Sequence, residues 1–285
     1  MRIARTEGPA GGEFLFGTTG RDGWVSARAL GQDLQTLADV VPRLDALRAA
    51  VEVTGPDVAE DVELLSPVDR PGKILAVGLN YLAHIAEVGK PRPAEPMVFA
   101  KYPSAVTGPS GVIELAPDVT REVDYECELA VVIGRAARDV DEDRALDHVL
   151  GYCVADDVSA RDVQRSESQI SRSKGLDTFC PLGPWITTAD EVPDPHRLRI
   201  TTTVNGRARQ DSSTDDMLFR VPFLVSYLSR TSTLHPGDVL LTGTPPGVGS
   251  GMRPPVWLQE GDLVRCEVEG LGALENRVVT PARAR

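Results

Sequence analysis

Apolar positions along the chain change their period near residue 67, and the predicted elements follow from that change. Met1–Arg5 and Glu13–Leu30 carry short strand-like runs broken by glycine. Leu34, Leu37, Val40, Val41, Leu44, Leu47 and Val51 then recur at helical spacing, which predicts a helix. Gly55, Pro56 and Asp57 stop it. The turn-rich stretch Pro67-Val68-Asp69-Arg70-Pro71-Gly72 reads as a boundary. A small N-terminal α/β unit is therefore expected over 1–66, and a main domain over 67–285.

Beyond Lys73, strand-like runs dominate: Ile74–Leu79, Met97–Lys101, Asp124–Ile133, Tyr152–Ala155, Arg199–Val204, Val239–Thr242 and Leu263–Val268. Helical patterns are few: a turn or two over Leu82–Val88, one at about Asp141–Val149, and one near Met217–Ser229. Glycine (26) and proline (22) are plentiful. This texture predicts a mixed α+β, β-dominated fold rather than a doubly wound sheet.

The strand Asp124–Ile133 holds the most informative residues. Side chains alternate faces on a strand, so Glu126 and Glu128 share one, with Ala130 and Val132 continuing it. Cys127, Leu129, Val131 and Ile133 line the other. The two glutamates either sit solvated on an edge strand or share a hard divalent cation, since paired buried carboxylates repel and cost free energy to desolvate. Asp157, where the strand Tyr152–Ala155 opens into a polar turn, could add a third oxygen ligand. Asp156 is its rival, and spacing does not choose between them. Three carboxylates plus waters suit Mg²⁺ or Mn²⁺.

Other candidates follow. His84 and Glu87 lie three apart on one helical face, where the carboxylate could fix the imidazole tautomer and make it a general base. Arg161, Gln164 and Lys174 come close behind Asp157 and could bind an anionic substrate, with Lys101 adding charge. Gly89-Lys90-Pro91-Arg92-Pro93-Ala94-Glu95-Pro96 has the composition of a mobile loop, a plausible lid. Gly243-Thr244-Pro245-Pro246-Gly247-Val248-Gly249 lacks the lysine and following helix of a phosphate loop. A rigid turn presenting backbone N–H groups and Thr244 to a carboxylate is expected there.

Net charge is −12 with a pI near 4.9, so neither nucleic acid nor an anionic membrane is expected as a partner. Cys127, Cys153, Cys180 and Cys266 form no C-x-x-C pair and read as reduced thiols, mostly core. No apolar run approaches the ~20 residues of a membrane span. A soluble, cytoplasmic protein is the expectation.

Several stretches, taken in order, resemble the fumarylacetoacetate hydrolase family. They are Lys73 through Tyr81 with His84 and Glu87, Asp124-Tyr125-Glu126-Cys127-Glu128-Leu129, and Gly151-Tyr152 through Asp157 to Asp162. Lys174–Thr178 with Pro181-Leu182-Gly183-Pro184, Val204-Asn205-Gly206, Leu234 through Asp238, and Gly243-Thr244-Pro245 with Gly247-Val248-Gly249 continue the match. It spans about residues 67–280. The resemblance implies a mixed β-sandwich roll as the catalytic domain, usually dimeric, with Mg²⁺ or Mn²⁺ on Glu126, Glu128 and Asp157. It places Arg161, Gln164, Thr244, Tyr81 and Lys101 on the substrate side. His84 and Glu87 match a water-activating dyad, and Lys174 a catalytic position. Two departures stand out: Arg165–Ser173 lacks the tryptophan often found before the lysine, and Cys127 replaces a more usual valine.

The implied function is metal-dependent hydrolysis of a C–C bond in an acylpyruvate-like 2-oxo acid, through an enolate. The same site could serve as an oxaloacetate-type decarboxylase or a 2-hydroxydienoate isomerase or tautomerase. A metal-binding relative without catalysis is the alternative from another class. A Rossmann-type dehydrogenase is excluded by the missing glycine fingerprint.

Overall fold

A strand apolar on both faces needs cover on both sides, and Cys127–Ile133 shows what supplies it. In a computed structural model, which describes residues 1–8 and 11–281, all seven of its residues are buried. Cys127, Leu129, Val131 and Ile133 join a core cluster with Ile200, Val264, Val268 and Leu274. Ala130 and Val132 join a second, with Ile3, Phe14, Phe16, Leu47 and Val51. The division follows the alternation read from the sequence.

Two sheets supply these clusters. Their strands are β1 (Arg2–Gly8), β2 (Gly11–Gly17), β3 (Val25–Ser26), β4 (Ile74–Gly78), β5 (Met97–Lys101), β6 (Val112–Glu114), β7 (Cys127–Ile133), β8 (Val149–Asp156), β9 (Cys180–Thr188), β10 (Arg199–Val204), β11 (Arg207–Ser213), β12 (Val239–Leu241), β13 (Leu263–Val268) and β14 (Gly272–Val279). The larger sheet has eleven strands and runs β3-β2-β1-β9-β8-β7-β12-β4-β5, with Leu64–Leu65 added on β1 and Val106–Thr107 on β9. Its one parallel step along that path is β12 beside β4. The smaller sheet runs β11-β10-β13-β14-β6. Besides the four-residue helix Leu37–Val40, the helices are α1 (Leu44–Val53), α2 (Leu82–Glu87), α3 (Arg161–Ser166), α4 (Ser171–Lys174) and α5 (Val221–Thr231). The architecture is the expected mixed, strand-dominated one.

Three local expectations shift. The helical pattern from Leu34 to Val51 is cut at Pro42, which lacks an N–H to donate. Leu37–Val40 and α1 are separated by a 3₁₀ turn over Val41–Arg43. The stretch near Asp141–Val149 forms a 3₁₀ helix, Glu142–His148, with Ala145 its one buried residue, too little apolar surface to hold a wider helix against the core. Helix α5 starts at Val221, with Pro222 in its first turn.

Residues 1–66 are joined to the main domain by more than a hinge. Ile3 pairs with Ile186 across β1 and β9, and the second core cluster mixes residues from both sides of the Pro67–Gly72 boundary. Residues 282–285, the end of the expected main domain, lie outside the described residues.

Candidate metal centre and its cavity

The register of two strands gathers the acids. β7 and β8 run antiparallel with Cys127 opposite Asp156. Glu126 and Glu128 at the start of β7 therefore meet Asp157 just past the end of β8. Asp157 N donates to Glu126 O at 2.8 Å, closing the junction. One carboxylate oxygen from each of Glu126, Glu128 and Asp157 lies within 4.8 Å of the other two, and all three residues are buried. Asp156 turns elsewhere: its Oδ1 accepts from Glu126 N at 2.8 Å. Burial pushes its carboxyl up to about 7, against the pull of that backbone bond.

Cations clamp the cluster from outside. Lys174 Nζ bonds Glu126 Oε2 and Asp157 Oδ2, each at 2.6 Å. Lys101 Nζ bonds Asp157 Oδ1 at 2.6 Å. Arg161 donates from Nη2 to Glu126 Oε1 at 2.5 Å and from Nε to Asp124 Oδ2 at 2.8 Å. Burial opposes ionisation of Glu126, but Arg161 and Lys174 outweigh it and hold its carboxyl far below the usual range. Glu128 goes the other way. Burial, then the charges of Asp157 and Glu126, push it well above that range. The surplus negative charge, and a buried donor set made only of carboxylate oxygens, fit a hard divalent cation such as Mg²⁺ or Mn²⁺.

The turn after β12 completes the wall. Gly243 N donates to Glu128 Oε2 at 2.6 Å. Its φ is +96°, and a Cβ there would sit 2.8 Å from the Asn80 Cβ and 3.0 Å from Val77 O, so glycine fits the position. The carboxylate this turn serves is thus the protein's own Glu128. Thr244 Oγ1 donates to Cys127 O at 2.9 Å and accepts from Gln210 Nε2 at 2.8 Å.

Helix α2 brings His84 to the same place. Its Nδ1 lies 3.0 Å from Glu87 Oε2, and Glu87 Oε1 accepts from Gly247 N at 2.9 Å. With Nδ1 held, Nε2 is the nitrogen left for proton transfer.

A cavity of about 530 Å³ is lined by His84, Glu126, Glu128, Asp157, Arg161, Gln164, Lys174 and Thr244, with Lys90, Phe99 and Arg165. Two residues expected on the substrate side are elsewhere. Tyr81 is fully buried in the first core cluster, where burial and then Glu128 push its phenol well above the usual range. Lys101 is sealed behind Asp157 with no exposed side chain. Lys101 ends β5 and Tyr81 immediately precedes α2, and each points inward, a direction its neighbours in sequence do not encode. Of the Gly89–Pro96 loop, Lys90 reaches the cavity wall. All four cysteines are free and buried.

Two residues that sequence reasoning did not single out hold the site together. Gln210, on β11, accepts at Oε1 from Cys127 N at 3.0 Å and from Thr202 Oγ1 at 2.7 Å, while Nε2 also reaches Pro245 O at 2.8 Å. It ties the smaller sheet to β7 and to the Gly243 turn. Asp124 accepts from Tyr125, Gly249 and Ser250 backbone amides besides Arg161. Asp124 has no local signal beyond its polarity at the start of a strand-like run, and Gln210 lies in a polar run without a strand signal.

The family model for the C-terminal domain of fumarylacetoacetate hydrolase matches residues 73–279. The mitochondrial oxaloacetate tautomerase of Xenopus laevis is 48% identical over 221 residues, which is 77% of this chain and 69% of that one. Among solved structures, 5-carboxymethyl-2-hydroxymuconate delta-isomerase from Mycobacterium smegmatis is 39% identical, with a TM-score of 0.78 over 99% of this chain and 100% of that one. Maleylpyruvate hydrolase from Sphingobium sp. SYK-6, in complex with manganese(II) and pyruvate, is 33% identical, with a TM-score of 0.80 over 99% and 100%. Among the described residues, no helix is long and apolar enough to cross a membrane.

Proposed function

The chain belongs to the fumarylacetoacetate hydrolase family, and from that premise we propose that it is a divalent-metal-dependent enzyme that enolises a small 2-oxo acid. Keto–enol interconversion of an oxaloacetate-type acid is the reaction we assign first. The observation that carries this reading is that His84, backed by Glu87, lines the same cavity as the three-carboxylate cluster. The 48% identity to an oxaloacetate tautomerase supports the choice of substrate class.

The residues divide the work. Glu126, Glu128 and Asp157 would hold Mg²⁺ or Mn²⁺, which supplies Lewis-acid stabilisation of charge developing on the 2-oxo oxygen. His84 Nε2 takes the C3 proton of the substrate and returns it to oxygen, or the reverse, with Glu87 stabilising the imidazolium. Burial disfavours the charged form of Lys174, but Asp157 and Glu126 outweigh it and raise its pKa. Lys174 therefore stabilises negative charge rather than giving up its proton. Gln164 orients the acid, Thr244 shapes the cavity wall through its bonds to Cys127 and Gln210, and Arg161 keeps Glu126 and Asp124 in place.

A second reading, C–C hydrolysis of an acylpyruvate, rests on the same dyad. His84 would deprotonate a water that adds to the distal carbonyl. The C–C bond then breaks to give a carboxylic acid and the pyruvate enolate, which is protonated to pyruvate. Identity to a maleylpyruvate hydrolase supports it. Decarboxylation and double-bond isomerisation draw on the same enolate. A cytoplasmic homodimer belongs to this reading. The outer edge of β5, with Met97 and Val98 exposed, offers a surface that a dimer could cover, and sedimentation measures it.

NMR tests the assignment. With Mg²⁺, accelerated C3 proton exchange in oxaloacetate, lost with excess chelator, is expected. Pyruvate plus a free acid from an acylpyruvate, without that exchange, moves the assignment to the second reading. Turnover of neither removes both.

A further inference from the structure

The cations deepest in the cavity are already spent. Arg161 gives Nε to Asp124, Nη2 to Glu126 and Nη1 to Gln164. Lys174 is shared between Glu126 and Asp157. Lys101 faces Asp157 from outside the cavity. Two further cations line the wall beyond this network, Lys90 and Arg165.

Both are held in place by backbone. Arg165 stands one helical turn after Arg161 on α3, on the same face and next to Gln164. Its ion pair is with Glu122 at the surface, its own side chain 59% exposed, and such a pair costs little to exchange for another anion. Lys90 follows Gly89, whose φ is +64°. Lys90 N donates to Ile85 O at 3.2 Å and Gly89 N to Ala86 O at 3.2 Å. These are the paired bonds of a Schellman turn at the end of α2. The turn fixes the Lys90 backbone relative to His84, even though the Gly89–Pro96 sequence reads as a loose loop. Among the described residues Lys90 has no ion-pair partner.

We infer that Lys90 and Arg165 form a second carboxylate subsite, so that the cavity selects 2-oxo dicarboxylates over monocarboxylates. One end of such an acid lies at the three-carboxylate cluster and its cation; the other meets the ammonium and guanidinium. This rests on the 2-oxo acid reading above and adds the second charge to it. The apolar wall around Phe99 and Val88 would favour an uncharged tail instead, and the test separates the two.

Oxaloacetate and 2-oxobutyrate differ by a carboxylate in place of a methyl group. For the Mg²⁺-loaded protein and for Lys90→Met and Arg165→Met, KM is measured from C3 exchange and Kd by calorimetry for each acid. The oxaloacetate-to-2-oxobutyrate ratio of both constants is expected to rise about tenfold in each variant, the scale of a lost charge-assisted hydrogen bond. Lys90→Arg is expected to restore it. Ratios that stay within about twofold of the parent, or a parent that binds 2-oxobutyrate as tightly as oxaloacetate, overturn the subsite. A protein that turns over neither acid while the calorimetric ratio shifts keeps the subsite and loses the enolising function.

Discussion

Lys101 Nζ stands 2.6 Å from Asp157 Oδ1, with both side chains wholly out of solvent. Removing one partner of such a pair strands the other charge in the interior. Lys101→Met is expected to destabilise the metal-free protein by about 3–5 kcal/mol in urea unfolding. A raised KM with unchanged stability would instead return Lys101 to the substrate side.

Glu128→Gln separates the metal from the fold. Burial and then the charges of Asp157 and Glu126 disfavour the Glu128 carboxylate, so neutralising it relieves a cost. In chelator at neutral pH the variant is expected to melt at or above the parent temperature. The parent should gain about 2.7 kcal/mol at Mn²⁺ a hundredfold above its Kd, and the variant should lose that gain. A variant that still gains it would remove Glu128 from the ligands.

His84→Ala is expected to slow C3 exchange by roughly 10²–10⁴-fold, the usual weight of a general base. Because Glu87 reaches Gly247 as well as His84, Glu87→Gln should cost less. Full activity in His84→Ala would show that another group moves the proton.

The buried His196 is expected to give the fold a pH dependence away from the three-carboxylate cluster. Its Nε2 accepts the Val221 N–H at the start of α5 at 3.1 Å, which requires the neutral ring. Burial, then Arg220, lowers its pKa below 6.5, against Asp194. The unfolded chain therefore binds the extra proton first as pH falls. Stability is full above 6.5, declines below it, and levels off once pH passes the lowered folded value. Unfolding curves for His196→Gln should lack this part of the decline. An unchanged pH profile would mean that His196 does not titrate in this way.

Gln210→Leu leaves the Cys127 N–H and the Thr202 hydroxyl without their acceptor. Roughly 1–3 kcal/mol is expected for each buried group so stranded, read from the urea midpoint. A loss below about 1 kcal/mol would show that the Gly243 turn does not depend on this amide.

The acids of the site were legible because their signal is local. Alternation along one strand separated Glu126 and Glu128 from Cys127 and Leu129, and the polar turn after Ala155 marked Asp156 and Asp157. Spacing did not choose between them; the family resemblance named Asp157, and the β7–β8 register is what brings it to the two glutamates. Tyr81 and Lys101 lie off the cavity wall for a related reason. Each ends or follows a strand, where the next side-chain direction depends on what packs there. Gln210 lies in the polar run Arg207–Ser213, which has no apolar alternation to mark it as a strand. The 1–66 boundary came from a change of texture, while the pairing that crosses it joins Arg2 and Ile3 to Thr187 and Ile186, far apart in the sequence.

That crossing pair changes what a shortened chain would be. The family match begins at residue 73, yet Arg2 and Ile3 occupy the rim of β9 beside Thr187 and Ile186. A protein cut back to residue 67 would bare that rim and the apolar wall under it, an open template for strand addition between molecules. On this geometry the first 66 residues are expected to cap that rim against self-association. Such a truncated protein should precipitate while its chemical groups are intact, and loss of activity in it would say nothing about catalysis.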